Sequence, residues 1–175
     1  MTITEIKIMT ININCLRSMT KRLLFEAKLT VENFDVIILT ETCWDNNITP
    51  GMTQFANYNV ASRADRTTDP NPKKYGGGTA ILVKKSIKFH SPSNYNVNDY
   101  GQVAAVKIKD LQIVGVYRKP SNNKTLDKKL ADLVVNKFTA DNLVLMGDIN
   151  LPKTDWLNSI HPSRPSKMWK HVKHC

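Results

Sequence analysis

The chain has 175 residues, 41% of them apolar and 23% charged, with seven Gly and eight Pro, which fits one ordinary globular domain and excludes disordered and collagen-like classes. A chain of this length buries roughly two-thirds or more of its unfolded surface, so it needs no disulfide or zinc staple. Lys plus Arg exceed Asp plus Glu by 25 to 15, and the net charge of +10 makes a field that draws in polyanions, nucleic acid foremost.

The first residues, MTITEIKIMTININC, alternate polar and apolar where a secretion signal would carry a basic start and an unbroken apolar run. No stretch approaches the ~18 consecutive apolar residues of a membrane span. Cys15, Cys43 and Cys175 are isolated and share no C-x-x-C spacing, so neither a disulfide framework nor a zinc cluster follows, and a reducing compartment is expected. These features together predict a soluble intracellular protein with no membrane association.

In chain order, Glu5 to Asn14 alternates through Ile6, Ile8, Ile11 and Ile13, with a slip at Met9-Thr10, which predicts a strand with one face on a core. Ser18 can cap the helix that follows, whose stripe is read as Leu24, Ala27, Val31 and Phe34. Val36 to Leu39 is the next apolar strand. Tyr58 to Ala61 is another, followed by a polar, basic loop from Ala64 to Tyr75. Gly76-Gly77-Gly78 then opens a strand from Thr79 to Val83. Val103 to Lys109 and Leu111 to Tyr117, broken at Lys109-Asp110, predict an antiparallel hairpin. Leu126, Leu130, Leu133, Val134 and Phe138 mark a second helix, leading to a buried strand at Leu143 to Met146. Residues 1–156 form the expected domain, and 157–175 an irregular basic tail. Hairpins mixed with strand–helix alternation predict layered α/β or α+β structure rather than an all-parallel sheet.

Four apolar strands run directly into polar residues: Ile13 into Asn14, Leu39 into Thr40-Glu41, Val116 into Tyr117-Arg118, and Met146-Gly147 into Asp148-Ile149-Asn150. Layered folds place their sites at strand ends. The set holds two carboxylates, two amides and a phenol, and no convincing Cys or His group. Such hard oxygens suit Mg²⁺, which takes few carboxylates plus water and a substrate phosphate. Mg²⁺ beside a phosphodiester polarises it while a carboxylate orients an attacking water, so phosphoester hydrolysis is the implied reaction. Taken singly, each residue has a plainer role. Asn14 and Asn150 can be turn formers, Glu41 a helix cap, Tyr117 a half-buried strand residue, and Asp148 a turn.

The segments I-N-I-N-C-L-R-S (Ile11 to Ser18), D-V-I-I-L-T-E-T-C-W (Asp35 to Trp44), S-R-A-D-R (Ser62 to Arg66), G-G-G-T-A-I-L-V (Gly76 to Val83), V-G-V-Y-R-K-P (Val114 to Pro120) and M-G-D-I-N-L-P-K-T-D-W (Met146 to Trp156) resemble, in that order, the endonuclease/exonuclease/phosphatase superfamily. Within it they are most similar to the endonuclease domain of LINE-type non-LTR retrotransposons. The resemblance implies an α/β fold, a four-layered α/β sandwich of two mixed sheets packed face to face and flanked by helices. It implies a Mg²⁺-dependent site in which Glu41 is the principal metal ligand and Asn14 supports the metal-bound phosphate. By the same resemblance Tyr117 hydrogen-bonds the phosphate or a leaving oxygen, Asp148 positions the attacking water, and Asn150 binds the transition-state oxyanion. Arg63, Arg66, Arg118 and Lys119 are the implied contacts to the DNA backbone.

The family's last third ordinarily ends in a Ser-Asp-His signature, and this sequence contains no S-D-H. The C-terminal part of the fold, with its Asp-His pair, is therefore expected to be missing. His161, His171 and His174 have no adjacent Asp, and His171-x-x-His174-Cys175 reads as tail rather than metal site. The resemblance thus implies a Mg²⁺-dependent DNA-nicking phosphodiesterase whose partners are DNA and, in the parent element, a reverse transcriptase, with nuclear residence and no small-molecule cofactor. The alternative is an inactive remnant that binds nucleic acid through its basic surface.

Overall fold

The computed structural model describes residues 5–66, 76–90, 94–97, 100–121 and 123–151. The expected basic tail, the later histidines and most of the 64–75 loop lie outside them. The described elements run β1 (Ile8–Asn12), α1 (Met19–Glu32), β2 (Val36–Thr40), β3 (Tyr58–Ala64), β4 (Thr79–Lys84), β5 (Asn94–Val97), β6 (Gly101–Ile108), β7 (Leu111–Arg118), α2 (Lys124–Lys137) and β8 (Leu143–Asp148). None of the described helices is long and apolar enough to cross a membrane.

Two four-stranded mixed sheets form, in the orders β1-β2-β4-β3 and β5-β6-β7-β8. Each contains one parallel pair joined through a helix, β1 with β2 through α1 and β7 with β8 through α2, and its other pairs are antiparallel. The sheets face each other across a core of Val36, Ile38, Ile81 and Val83 from the first and Ala104, Val106, Ile108 and Ile113 from the second. Phe25 and Leu29 of α1 cover the outer face of the first sheet. Leu130, Val134 and Phe138 cover that of the second. The four-layered α/β sandwich expected from the resemblance is the architecture observed.

Two-sided burial explains the sequence pattern. In β2, Val36 and Ile38 point between the sheets while Ile37 and Leu39 point at the α1 layer, so all four are apolar and fully buried. The same geometry revises β1. Ile6 and Ile8 pack into the inter-sheet core, whereas Met9, Ile11 and Ile13 pack on the helix side. The apparent slip at Met9-Thr10 is a strand with both faces covered.

The helices start where expected. Ser18 Oγ accepts the Lys21 N–H at 3.5 Å, and Asn123 Oδ1 accepts the Leu126 N–H at 3.1 Å. The stripe read on α1 is a correction. Leu24 and Val31 are 69% and 83% exposed, and Ala27 is exposed too, while Phe25 and Leu29 are buried. Helix α1 carries apolar residues on two faces. The larger aromatic ring takes the core, packing edge-on against Phe55 with ring centroids 6.4 Å apart.

Candidate active site

One edge of the sandwich collects the C-terminal ends of β1, β2, β3, β7 and β8 and the N-terminal ends of β4 and β6, because β1 runs parallel to β2, β8 parallel to β7, and β4 antiparallel to both β2 and β3. The polar residues that end the apolar strands therefore meet there.

The backbone at this edge is unusual. Among the described residues, seven non-glycine positions have positive φ, and five of them, Asn14, Cys15, Glu41, Cys43 and Asn150, follow the ends of β1, β2 and β8. Such conformations cost about 1–3 kcal/mol each and persist where the surroundings over-determine them. Here the surroundings are continuous main-chain bonds. The Cys15 N–H donates to Glu41 O at 2.7 Å, Leu16 N–H to Thr42 O at 2.9 Å, and Cys43 N–H to Gly77 O at 2.9 Å. Beneath them Trp44 is wholly buried and donates Nε1–H to Leu16 O at 3.3 Å.

Glu41 and Tyr117 come together across the two sheets. The Tyr117 hydroxyl faces the Glu41 carboxylate, and it is pushed up to about 12 by burial first and then by the negative charges of Glu41 and Asp148. Gly76 lines the same spot. A Cβ built there would touch Tyr117 Oη at 3.6 Å and Glu41 Cδ at 4.0 Å, ordinary contact distances, and the φ of 96° is what favours glycine.

Asp148 is reached from β1, but by a residue the sequence reading passed over. Asn12 Nδ2 donates to Asp148 Oδ2 at 2.9 Å, and Asn12 Oδ1 accepts the Asn14 N–H at 3.0 Å. The strand ends at Asn12 rather than Asn14. Asn14, placed in the site by the resemblance, is a turn residue with φ of 47° whose carbonyl accepts from Lys21 Nζ. The signal available in the sequence was the N-x-N repeat, whose first Asn ends the strand.

The four basic residues divide. Arg118 is 4% exposed, and its guanidinium bonds Asp127, Ser121 O, Lys119 O and Asn150 O. These bonds engage all five of its N–H donors. Arg63 is forked onto Asp65 and stacked 5.3 Å from the Trp44 ring centroid. Arg66 lies half-buried at 3.8 Å from the buried Asp45, which also pairs with Arg17 at 3.0 Å. Lys119 is exposed beside the site. Asn150 donates Nδ2–H to Arg118 O at 2.8 Å.

Among the described residues, no three His, Cys, Asp or Glu side chains converge as a metal cluster. A cation at this edge would have Glu41 and Asp148 as its carboxylates, with the Asn12 amide between strands and the remaining positions left to water and substrate. That donor set is all oxygen and low in charge, which fits Mg²⁺ and not zinc. Gln102, fully buried and paired in register with Tyr117, accepts the Gly78 N–H at 3.0 Å through Oε1, while its Nε2 has no partner.

The chain belongs to the endonuclease/exonuclease/phosphatase family, whose sequence model matches residues 9–168. Its fold is that of the endonuclease domain of TRAS1, a telomere-specific non-LTR retrotransposon, with a TM-score of 0.53 at 14% identity over 86% of this chain and 63% of that one. An AP endonuclease from Archaeoglobus fulgidus superimposes with a TM-score of 0.55 at 19% identity, over 87% of this chain and 60% of that chain. The 3′ phosphatase NExo from Neisseria, bound to a product DNA hairpin, gives 0.54 at 19% identity over the same shares, 87% and 60%. This chain therefore spans less than two-thirds of the length of these structures. No curated protein matches it by sequence.

Proposed function

We propose that the chain is a Mg²⁺-dependent phosphodiester hydrolase that nicks DNA, in the manner of non-LTR retrotransposon endonucleases. The observation that carries this reading is the meeting of Glu41, Tyr117 and the Asn12–Asp148 pair at one edge of a sandwich with this family's fold. The net charge of +10 supports a polyanionic substrate.

Glu41 would hold the cation, assisted by Asn12 and Asp148. When bound, Mg²⁺ would neutralise charge on the phosphate and stabilise the departing oxygen. Asp148, with Oδ2 fixed by Asn12, presents its other oxygen to orient a water in line with the P–O bond that breaks. Tyr117, neutral through the physiological range because its hydroxyl is held near 12, donates a hydrogen bond rather than accepting one. Asn150, two residues beyond Asp148 and with one Nδ2 hydrogen given to Arg118 O, would meet charge developing on the phosphoryl oxygens through its other. Arg63, Arg66 and Lys119 would contact the DNA backbone, Arg63 and Arg66 while keeping their pairings with Asp65 and Asp45. Nuclear residence and action beside a reverse transcriptase belong to the same reading.

A second reading rests on the net charge of +10 alone. In it the chain binds nucleic acid without cleaving it. Supercoiled-plasmid nicking in Mg²⁺ against EDTA separates the two, comparing the chain, its Glu41→Ala and Asp148→Ala variants, and a chimera adding a relative's C-terminal strands. Nicking by the chain that either substitution abolishes supports hydrolysis at this site. Nicking by the chimera alone supports the second reading.

A further inference from the structure

We propose that Arg118 is the positioning residue for Asn150, and that it ties the first turn of α2 into the site. This rests on the hydrolase reading above and adds a residue to its machinery. Arginine has five N–H donors in a fixed planar fork. In Arg118 all five are engaged. Nε and Nη2 take the two oxygens of Asp127, Nη2 also donates to Ser121 O at 2.6 Å, and Nη1 donates to Lys119 O at 3.3 Å and Asn150 O at 2.7 Å. The guanidinium lies 5.3 Å from the Tyr100 ring centroid, and the Tyr100 hydroxyl donates to Asp127 Oδ1 at 2.6 Å.

Asn150 needs such a holder. It lies two residues beyond the end of β8, outside the ladder, with φ of 49°. The bonds that fix it both come from Arg118. The guanidinium takes its main-chain carbonyl at 2.7 Å, and its side-chain Nδ2–H is taken by the Arg118 main-chain carbonyl at 2.8 Å. The guanidinium thus fixes the Asn150 backbone, and that placement brings the side-chain amide within reach of the Arg118 main-chain carbonyl. Asp127 neutralises the guanidinium charge, so Arg118 supplies geometry to the site and no net attraction for phosphate. Lysine, with a compact ammonium and three donors, cannot bridge Asp127, Ser121 and Asn150 together.

The test is made on the full chain and has one readout that needs no catalysis. Water-exchange rates of side-chain amides are measured by magnetisation transfer in the wild type and in R118K, with the Asn150 signals identified by their loss in N150A. Exchange of the Asn150 amide rises tenfold or more in R118K, to the rate of exposed Asn46, while Asn12, bonded to Asp148, does not change. In plasmid nicking, R118K lowers kcat at least tenfold with little change in KM, and in the N150A background it lowers kcat less than twofold. Should R118K not fold, D127N loosens the same fork and moves both readouts in the same direction by less. An Asn150 amide equally protected with and without Arg118, or an undiminished kcat loss in the N150A background, overturns the proposal. Absence of cleavage by every variant, with the amide result intact, overturns the hydrolase reading and leaves the assignment of Arg118 standing.

Discussion

Removing the Tyr117 hydroxyl should change how the protein responds to alkali, by an amount that follows from its surroundings. Burial, then the charges of Glu41 and Asp148, push this phenol from its ordinary 10 to about 12. A raised pKa favours the neutral form in the native state, so the contribution is fully present below pH 10 and is lost as pH rises toward 12. Two units correspond to about 2–3 kcal/mol, of which about 1 kcal/mol is lost between pH 9.5 and 11. Urea unfolding of the wild type and Tyr117→Phe across that range isolates this share. Tyr58 and Tyr100 are also raised, burial being the main cause, but both proteins carry them and the difference cancels their effect. Wild type is expected to lose about 1 kcal/mol more than Tyr117→Phe. In Glu41→Gln the alkaline loss shrinks without vanishing, because burial remains when the charge is gone. A difference between wild type and Tyr117→Phe that does not vary with pH would refute the reasoning. So would a Tyr117 titration unmoved by both Glu41→Gln and Asp148→Asn, since the carboxylates could not then stand beside the hydroxyl.

The face of α1 gives a second test: Phe25→Ala should cost about 3–5 kcal/mol in urea unfolding and Leu24→Lys less than about 0.5 kcal/mol, and the reverse ranking would put the wrong stripe in the core. Gly147, with φ of 143° and a built Cβ only 1.9 Å from Val116 O, sits in the β7–β8 ladder opposite Val116. Its substitution by Ala should strip hydrogen-exchange protection from β8 amides, and unchanged protection would show that the close backbone approach does not exist.

Much was legible along the chain because its causes are local. Short apolar runs at Val36–Leu39 and Leu143–Met146 are strands, the first fully buried and the second, at a sheet edge, only half-buried, and the Lys109-Asp110 break is the two-residue turn between Ile108 and Leu111. Ser18 caps because a hydroxyl before an apolar-periodic run can reach a free N–H whatever lies elsewhere in the fold. Glu41, Tyr117 and Asp148 stand out because core packing does not call for polar groups at the ends of buried strands.

Other features were decided only when distant segments met. Periodicity on α1 offered two apolar faces, and the space beside Phe55 selected Phe25. Asn12 and Asn14 are equivalent in an alternating pattern until β8 arrives 136 residues later and brings Asp148 within 2.9 Å of Asn12. Arg118 reads as surface charge until Asp127 and the carbonyls of Ser121 and Asn150 surround it. A residue's conformational preference acts over a few neighbours, and sequence displays it. Which partner desolvates a group or accepts its proton depends on chain crossings that no local pattern encodes, and those partners set Asn12 apart from Asn14 and engage the donors of Arg118.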